Sequence, residues 1–185
     1  MLEALDQKPN GFYIEVGAWH GIRDSNTFLL ERNFGWGGLA LEIVPKFVRR
    51  YNRVRRNPCF KSDATVQDFV TLFEKESVPR VIDYLQLDIE PGTHTLSALL
   101  KIPLDSYRFS VITFEHDLYR SPENRYVKAW SEALLIEHGY TRVVSNVLYD
   151  GKAFEDWWVD PNVVSQEFIQ RNSAEDVSWQ DLFKE

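Results

Sequence analysis

Four apolar runs with strand character, Phe12 to Val16, Gly38 to Glu42, Val81 to Asp88 and Phe109 to Glu115, are separated by stretches whose apolar residues recur every three or four positions. Phe47, Val48 and Tyr51 follow Pro45 at that spacing; Val66, Phe69, Val70 and Phe73 precede Pro79; Leu96, Leu99 and Leu100 precede Pro103. Strand and helix therefore alternate, the pattern of a mostly parallel sheet covered on both faces. A helix carrying Tyr126, Val127, Trp130 and Leu134 is stopped by Gly139, and two β-rich runs then flank Asp150-Gly151, a hairpin turn signal. The chain reads as an α/β fold closed by an antiparallel hairpin. After Pro161, Val164, Phe168 and Ile169 return to helical spacing, followed by a polar tail anchored by Trp179 and Leu182.

The first strand ends in Gly17-Ala18-Trp19-His20-Gly21, Ser25-Asn26-Thr27 follows, and the second strand ends in Glu42. Glycine admits positive φ and lets bound atoms lie against the backbone. Ser25 or Asn26 can accept from free amides of the next helix, and a carboxylate about 20 residues beyond the turn suits the two hydroxyls of a ribose. That order fits a nucleoside crevice. Two glycines alone also fit an ordinary strand-to-helix turn.

With 185 residues, 44% of them hydrophobic and six of them tryptophan, the chain has material for one well-filled core and is short for two. One domain over residues 1–185 is expected, with a core from about 11 to 160 and a helical extension from about 161. A net charge of −7 opposes a protein that grips nucleic acid through phosphates. Arg49, Arg50, Arg53, Arg55 and Arg56 run against that trend and read as a solvated helix face. The single cysteine, Cys59, forms no internal disulfide and reads as a small buried residue. No secretory signal or bilayer-spanning run is seen, so the expectation is a cytoplasmic chain with no membrane partner.

Glu15 to Gly21 with Ser25-Asn26-Thr27, then Gly35-Trp36-Gly37-Gly38 leading to Glu42 and Pro45, then Leu87-Asp88-Ile89-Glu90-Pro91-Gly92, together resemble the FkbM family of S-adenosylmethionine-dependent methyltransferases. The likeness runs from about Gly11 to Trp158. It implies a Rossmann-like class I methyltransferase fold, a mostly parallel seven-stranded sheet with a C-terminal antiparallel hairpin. It also implies S-adenosylmethionine as cofactor and O-methylation of a hydroxyl on a sugar or related metabolite. Trp19 stands where many methyltransferase loops carry their middle glycine. The loop also lacks the three-glycine spacing of nicotinamide-binding domains, which disfavours a dehydrogenase. Carried over, the resemblance puts Glu15, Gly17, Ala18 and Gly21 around the methionine portion, Glu42 on the ribose, and Asp63 with Ala64 beside the adenine. An alternative is a module that keeps the nucleoside pocket and has lost the chemistry.

Ligands of open parallel sheets sit beyond the carboxyl ends of the strands, where Asp88, Glu90, Glu115, His116 and Asp117 gather. Two mechanisms use such a group. His116 would act as general base toward the acceptor hydroxyl, or Asp88, Glu115 and Asp117 would hold a divalent cation such as Mg²⁺. His20, His94 and His138 read as local hydrogen-bonding residues. Trp36 reads as core, whereas Trp19 and one of the pair Trp157-Trp158 are candidates for a substrate wall. The expected partner is a hydroxyl-bearing small molecule or glycan, bound in a site left open or completed by the C-terminal segment or by a second copy in a homodimer.

Overall fold

The computed structural model describes residues 2–183. Strands β1 (Phe12–Val16), β2 (Gly37–Glu42), β3 (Cys59–Lys61), β4 (Val81–Leu87), β5 (Arg108–Glu115), β6 (Thr141–Tyr149), β7 (Lys152–Val159) and β8 (Ala174–Ser178) form one sheet in the order β3-β2-β1-β4-β5-β7-β6-β8. Helices α1 (Phe28–Phe34), α2 (Pro45–Val54), α3 (Phe69–Lys75), α4 (Gly92–Leu99), α5 (Arg125–Glu137) and α6 (Gln166–Asn172) connect and cover it. The first five strands pair in parallel, and β7 runs antiparallel between β5 and β6.

The hairpin forms where its turn residues demand it. Asp150 and Gly151 have φ of 49° and 72°, the paired left-handed conformation that matches the twist of the flanking strands. Gly139, at φ 79°, closes α5.

The sheet has eight strands where seven are expected. The added strand, β8, pairs in parallel with β6, from Val144 beside Ala174 to Leu148 beside Ser178. The stretch after residue 161 is therefore helix α6 followed by strand, not a helical extension. Ala174-Glu175-Asp176-Val177-Ser178 lacks an apolar alternation, so its pairing comes from the backbone of β6.

Two cores lie on the two faces. On one, Leu85, Ile112, Phe114 and Trp158 pack under Phe73, Leu99 and Leu135 from α3, α4 and α5. On the other, Tyr13, Tyr84, Val111 and Val144 pack with Leu30 and Ile169 from α1 and α6, together with Trp36. Neighbours on a strand point oppositely, and Trp158 accordingly belongs to the first core while Trp157 packs on the second.

Candidate functional site

The strand order reverses its direction of growth between β1 and β4, and open α/β sheets bind ligands in the crevice at such a point. Gly17 sits there with φ +94°, and a Cβ on it would fall 1.7 Å from the carbonyl oxygen of Asp88. Only glycine fits. The amides of Gly17 and Ala18 both donate to the Leu41 carbonyl, at 3.0 and 3.1 Å, which pins the turn over the end of β2.

Glu42 is buried against this turn. Its Oε2 accepts from the Trp19 amide at 2.9 Å and its Oε1 from the Val44 amide at 2.7 Å. One amide per oxygen fixes the carboxylate and leaves each oxygen a further lone pair for the donors of a diol. Trp19, at φ 32°, is 42% exposed; its indole meets Phe47 of α2 edge-on at 6.2 Å and carries the Arg23 guanidinium 5.2 Å above it. Asp63, exposed beyond β3, accepts from the Thr65 amide at 3.0 Å and hydroxyl at 2.6 Å, bonds that hold its carboxyl below the usual range. Ala64 behind it is buried in the core.

Glu15, Gly21 and Ser25 have another task. Glu15 is buried, accepting from Thr27 Oγ1 at 2.8 Å, Ser25 Oγ at 3.1 Å and Tyr51 Oη at 3.2 Å, with Arg55 Nη1 at 3.9 Å. Arg55 also donates to Glu31 at 3.0 Å, Tyr13 Oη at 2.8 Å and the Gly21 carbonyl at 3.1 Å. Burial pushes the Glu15 carboxyl up, with Arg55 opposing it. Glu15 therefore braces β1 against α1 and α2, its oxygens taken up by protein donors rather than aimed at a cofactor. At Gly21 a Cβ would lie 3.0 Å from Tyr51 Cα, so that glycine serves helix packing. Ser25 Oγ accepts from the Phe28 amide at 3.2 Å and starts α1. Arg49, Arg50, Arg53 and Arg56 are exposed as the sequence indicates, but Arg55 is not. A basic run gives no sign that its fourth arginine answers Glu15 and Glu31, whose positions come from other elements.

Beyond β4 and β5 the structure brings four of the five predicted groups together as acids. Asp88 and Glu115 share a hydrogen bond; burial raises both carboxyls, the charge of Asp88 raises Glu115 further, and the charges of Asp117 and Glu90 raise Asp88 against the lowering effect of the bond from Glu115. Arg120 bridges Glu90 to Asp117, lying 2.9 Å from Asp117 Oδ1. Sequence reasoning missed a further acid. Glu155 of β7 is the register partner of Glu115, and burial, with the charges of Asp88 and Asp156, pushes it up to about 8 although Trp157 Nε1 donates to it. The signal was available in Glu155-Asp156: adjacent acids on a strand covered on both faces cannot both reach solvent.

His116 departs from expectation. It is fully buried, its Nδ1 accepts from the Leu118 amide at 3.3 Å, and its Nε2 stands 3.4 Å from Asp156, itself 2.6 Å from Lys128 Nζ. Burial pushes the imidazole down. With no open face it cannot meet an acceptor hydroxyl as a base. The cation reading of Asp88, Glu115 and Asp117 does not fit either: Asp117 is turned to Arg120, and among the described residues no three His, Cys, Asp or Glu converge to hold a metal ion. His20 Nδ1 accepts the Arg23 amide at 3.2 Å, and His138 pairs with Asp105 at 3.3 Å, both local roles. Cys59 is buried, which pushes its thiol up to about 12.

No protein-family model and no curated protein matches the sequence. Solved structures do. An O-methyltransferase from Bacillus cereus in complex with SAH superposes with TM-score 0.58 at 18% identity, covering 80% of this chain and 73% of that one. The chain has a Rossmann-like methyltransferase fold. A putative rRNA-methylase from Clostridium thermocellum gives TM-score 0.53 at 10% identity over 82% of this chain and 89% of its own. The N-terminal domain of EvdMO1, in the presence of SAH and D-fucose, gives 0.50 at 17% identity over 86% and 78%. Within this methyltransferase fold the Gly17 turn and Glu42 occupy the switch-point crevice, and the acid pair Asp88–Glu115 lies beside it at the head of β4 and β5.

Proposed function

We propose that the protein is an S-adenosylmethionine-dependent methyltransferase of FkbM type that methylates a hydroxyl of a small molecule. The observation that carries this reading is Glu42, fixed by two amides at the rim of the Gly17 crevice in a fold shared with structures bound to SAH. Bound in that crevice, the cofactor supplies a methyl group on a sulfonium sulfur. Glu42 accepts the hydroxyls of its ribose, Gly17 keeps the backbone low beneath it, and Asp63 stands at the adenine end.

The Asp88–Glu115 pair takes the place assigned in sequence to His116. One proton shared between two buried carboxyls leaves a base whose affinity for a second proton is raised toward neutrality, the condition under which a carboxylate accepts a hydroxyl proton efficiently. The Arg120 bridge between Glu90 and Asp117 neutralises the outer acids around that pair. A binding module without chemistry has no use for such an arrangement. A sugar acceptor is what the resemblance implies, and D-fucose is present with EvdMO1, but the largely apolar cavity beside the pair favours a hydroxyl compound of another class.

Calorimetry tests the reading. S-adenosylhomocysteine should bind the protein, and Glu42→Ala should weaken that binding by about 1–3 kcal/mol, the worth of a charged hydrogen-bond acceptor. Unchanged affinity in the variant removes Glu42 from the site, and thermal stabilisation by NAD alone overturns the methyltransferase reading.

A further inference from the structure

The face of the sheet opposite α3, α4 and α5 is not filled. Between it, the turn at Leu2 to Ala4, α1 and α6 lies a cavity of about 390 Å³, within the range of about 300–1,000 Å³ usual for small-molecule sites. Leu30, Val111, Val144, Val159 and Phe168 form its walls, and the Trp157 indole lies along it. Among the described residues no lysine, arginine or histidine lines it.

The polar groups that the sheet contributes lie toward the carboxyl ends of the strands, while Glu3 and Asn172 line the cavity from the N-terminal turn and from the end of α6. Glu155 stands there beside Glu115, and Tyr84 Oη and Thr113 Oγ1 share a hydrogen bond of 2.8 Å in the wall. Asn26, which the sequence offers with Ser25 for the helix start at the nucleoside turn, is exposed and lines this cavity. Gln86 adds an independent sign. Strand alternation puts it on the face of Tyr84, in register with Thr113; it is 2% exposed, and its Oε1 has no hydrogen-bond partner among the described residues. A buried acceptor left unpaired is costly, and it adds to the unmet polar capacity of this end of the sheet.

We infer that this cavity is the acceptor site, and that it takes an uncharged, largely apolar molecule with a hydroxyl at one end, the hydroxyl lying between Glu155 and Thr113, whose register neighbour is Gln86. This deepens the methyltransferase reading and rests on it for the meaning of the word acceptor. An anion finds no lysine, arginine or histidine among the described residues of the walls. A sugar, with hydroxyls all round its ring, would leave donors unpaired against Val111, Val144 and Val159, a larger loss than stacking on Trp157 returns. An aromatic or aliphatic body loses nothing against those valines, and its single hydroxyl meets Glu155 and Thr113 at the end next to the Asp88–Glu115 pair.

The test uses the full chain without cofactor and titrates 2-naphthol by calorimetry and tryptophan fluorescence. One-to-one saturable binding is expected, at least tenfold weaker in Val144→Phe, which fills the cavity, and in Leu29→Trp, which narrows its mouth from a half-exposed position. Naphthalene, lacking the hydroxyl, should bind at least fivefold more weakly, and methyl β-D-glucoside should not saturate. Circular dichroism reports folding; should Val144→Phe unfold, Leu29→Trp decides alone. Absence of saturation, wild-type affinity in the folded variants, or tighter binding of the glucoside overturns the inference. S-adenosylhomocysteine titrated into the same proteins separates the two readings. If it binds and 2-naphthol does not, the acceptor assignment alone fails; if 2-naphthol binds and it does not, the cavity stands and the methyltransferase reading fails.

Discussion

Glu155 makes a prediction about pH that needs no substrate. Its carboxyl is buried beside Asp88 and titrates at about 8 in the folded protein, against 4.5 for an ordinary glutamate. Between those values the folded chain holds a proton that the unfolded chain has released. The stability tied to this group is therefore whole below pH 4.5 and is lost as pH rises through 8, with a slope of about 1.4 kcal/mol per pH unit. From pH 5 to pH 7 that amounts to about 2–3 kcal/mol, a sizeable share of the roughly 5–15 kcal/mol that holds a typical domain together. Glu155→Gln keeps the shape and stays neutral. Its stability relative to wild type should rise by about that amount over the same interval, measured by urea denaturation at pH 5, 6 and 7. His116 acts in the opposite sense but is present in both proteins and drops out of the difference; the Asp88–Glu115 pair also destabilises as pH rises, and because the Glu155 charge raises Glu115, removing it weakens that loss and adds to the difference in the same direction. Parallel stability curves for wild type and Glu155→Gln would refute the reasoning, because they would mean that Glu155 is ionised in the fold well below neutrality.

Two further substitutions probe the frame of the crevice. Arg55→Met leaves Glu15 and Glu31 buried without their cation and should cost about 3–5 kcal/mol in urea; Arg55→Lys, which restores charge without the forked donors, should remain destabilised. Gly17→Ala places a methyl against the Asp88 carbonyl on a positive-φ backbone, where the conformation alone costs about 1–2 kcal/mol, and should abolish S-adenosylhomocysteine binding in calorimetry.

The parts of this fold that were legible are those whose cause is local. The hairpin needs only Asp150-Gly151 between β-rich runs, and the end of α5 needs only Gly139. Gly17 likewise announces a backbone that a side chain would obstruct, although its partner, the Asp88 carbonyl, lies on a different strand. What escaped are residues whose environment is assembled from distant chain. Arg55 sits in a run of exposed arginines and differs from them only because the α2 axis directs it at Glu15 and Glu31. His116 follows Glu115 at a strand end and so resembles a site residue, yet alternation turns it away from the carboxyl pair and into the wall with Asp156 and Lys128. The same alternation explains Glu155 and Gln86: each is a polar residue on an inner strand whose side chain must face one of two covered surfaces. A polar side chain that a sheet is bound to bury is a stronger pointer to a ligand than a titratable residue at the sheet's rim, because the rim offers water and the interior offers only what the protein or its ligand brings.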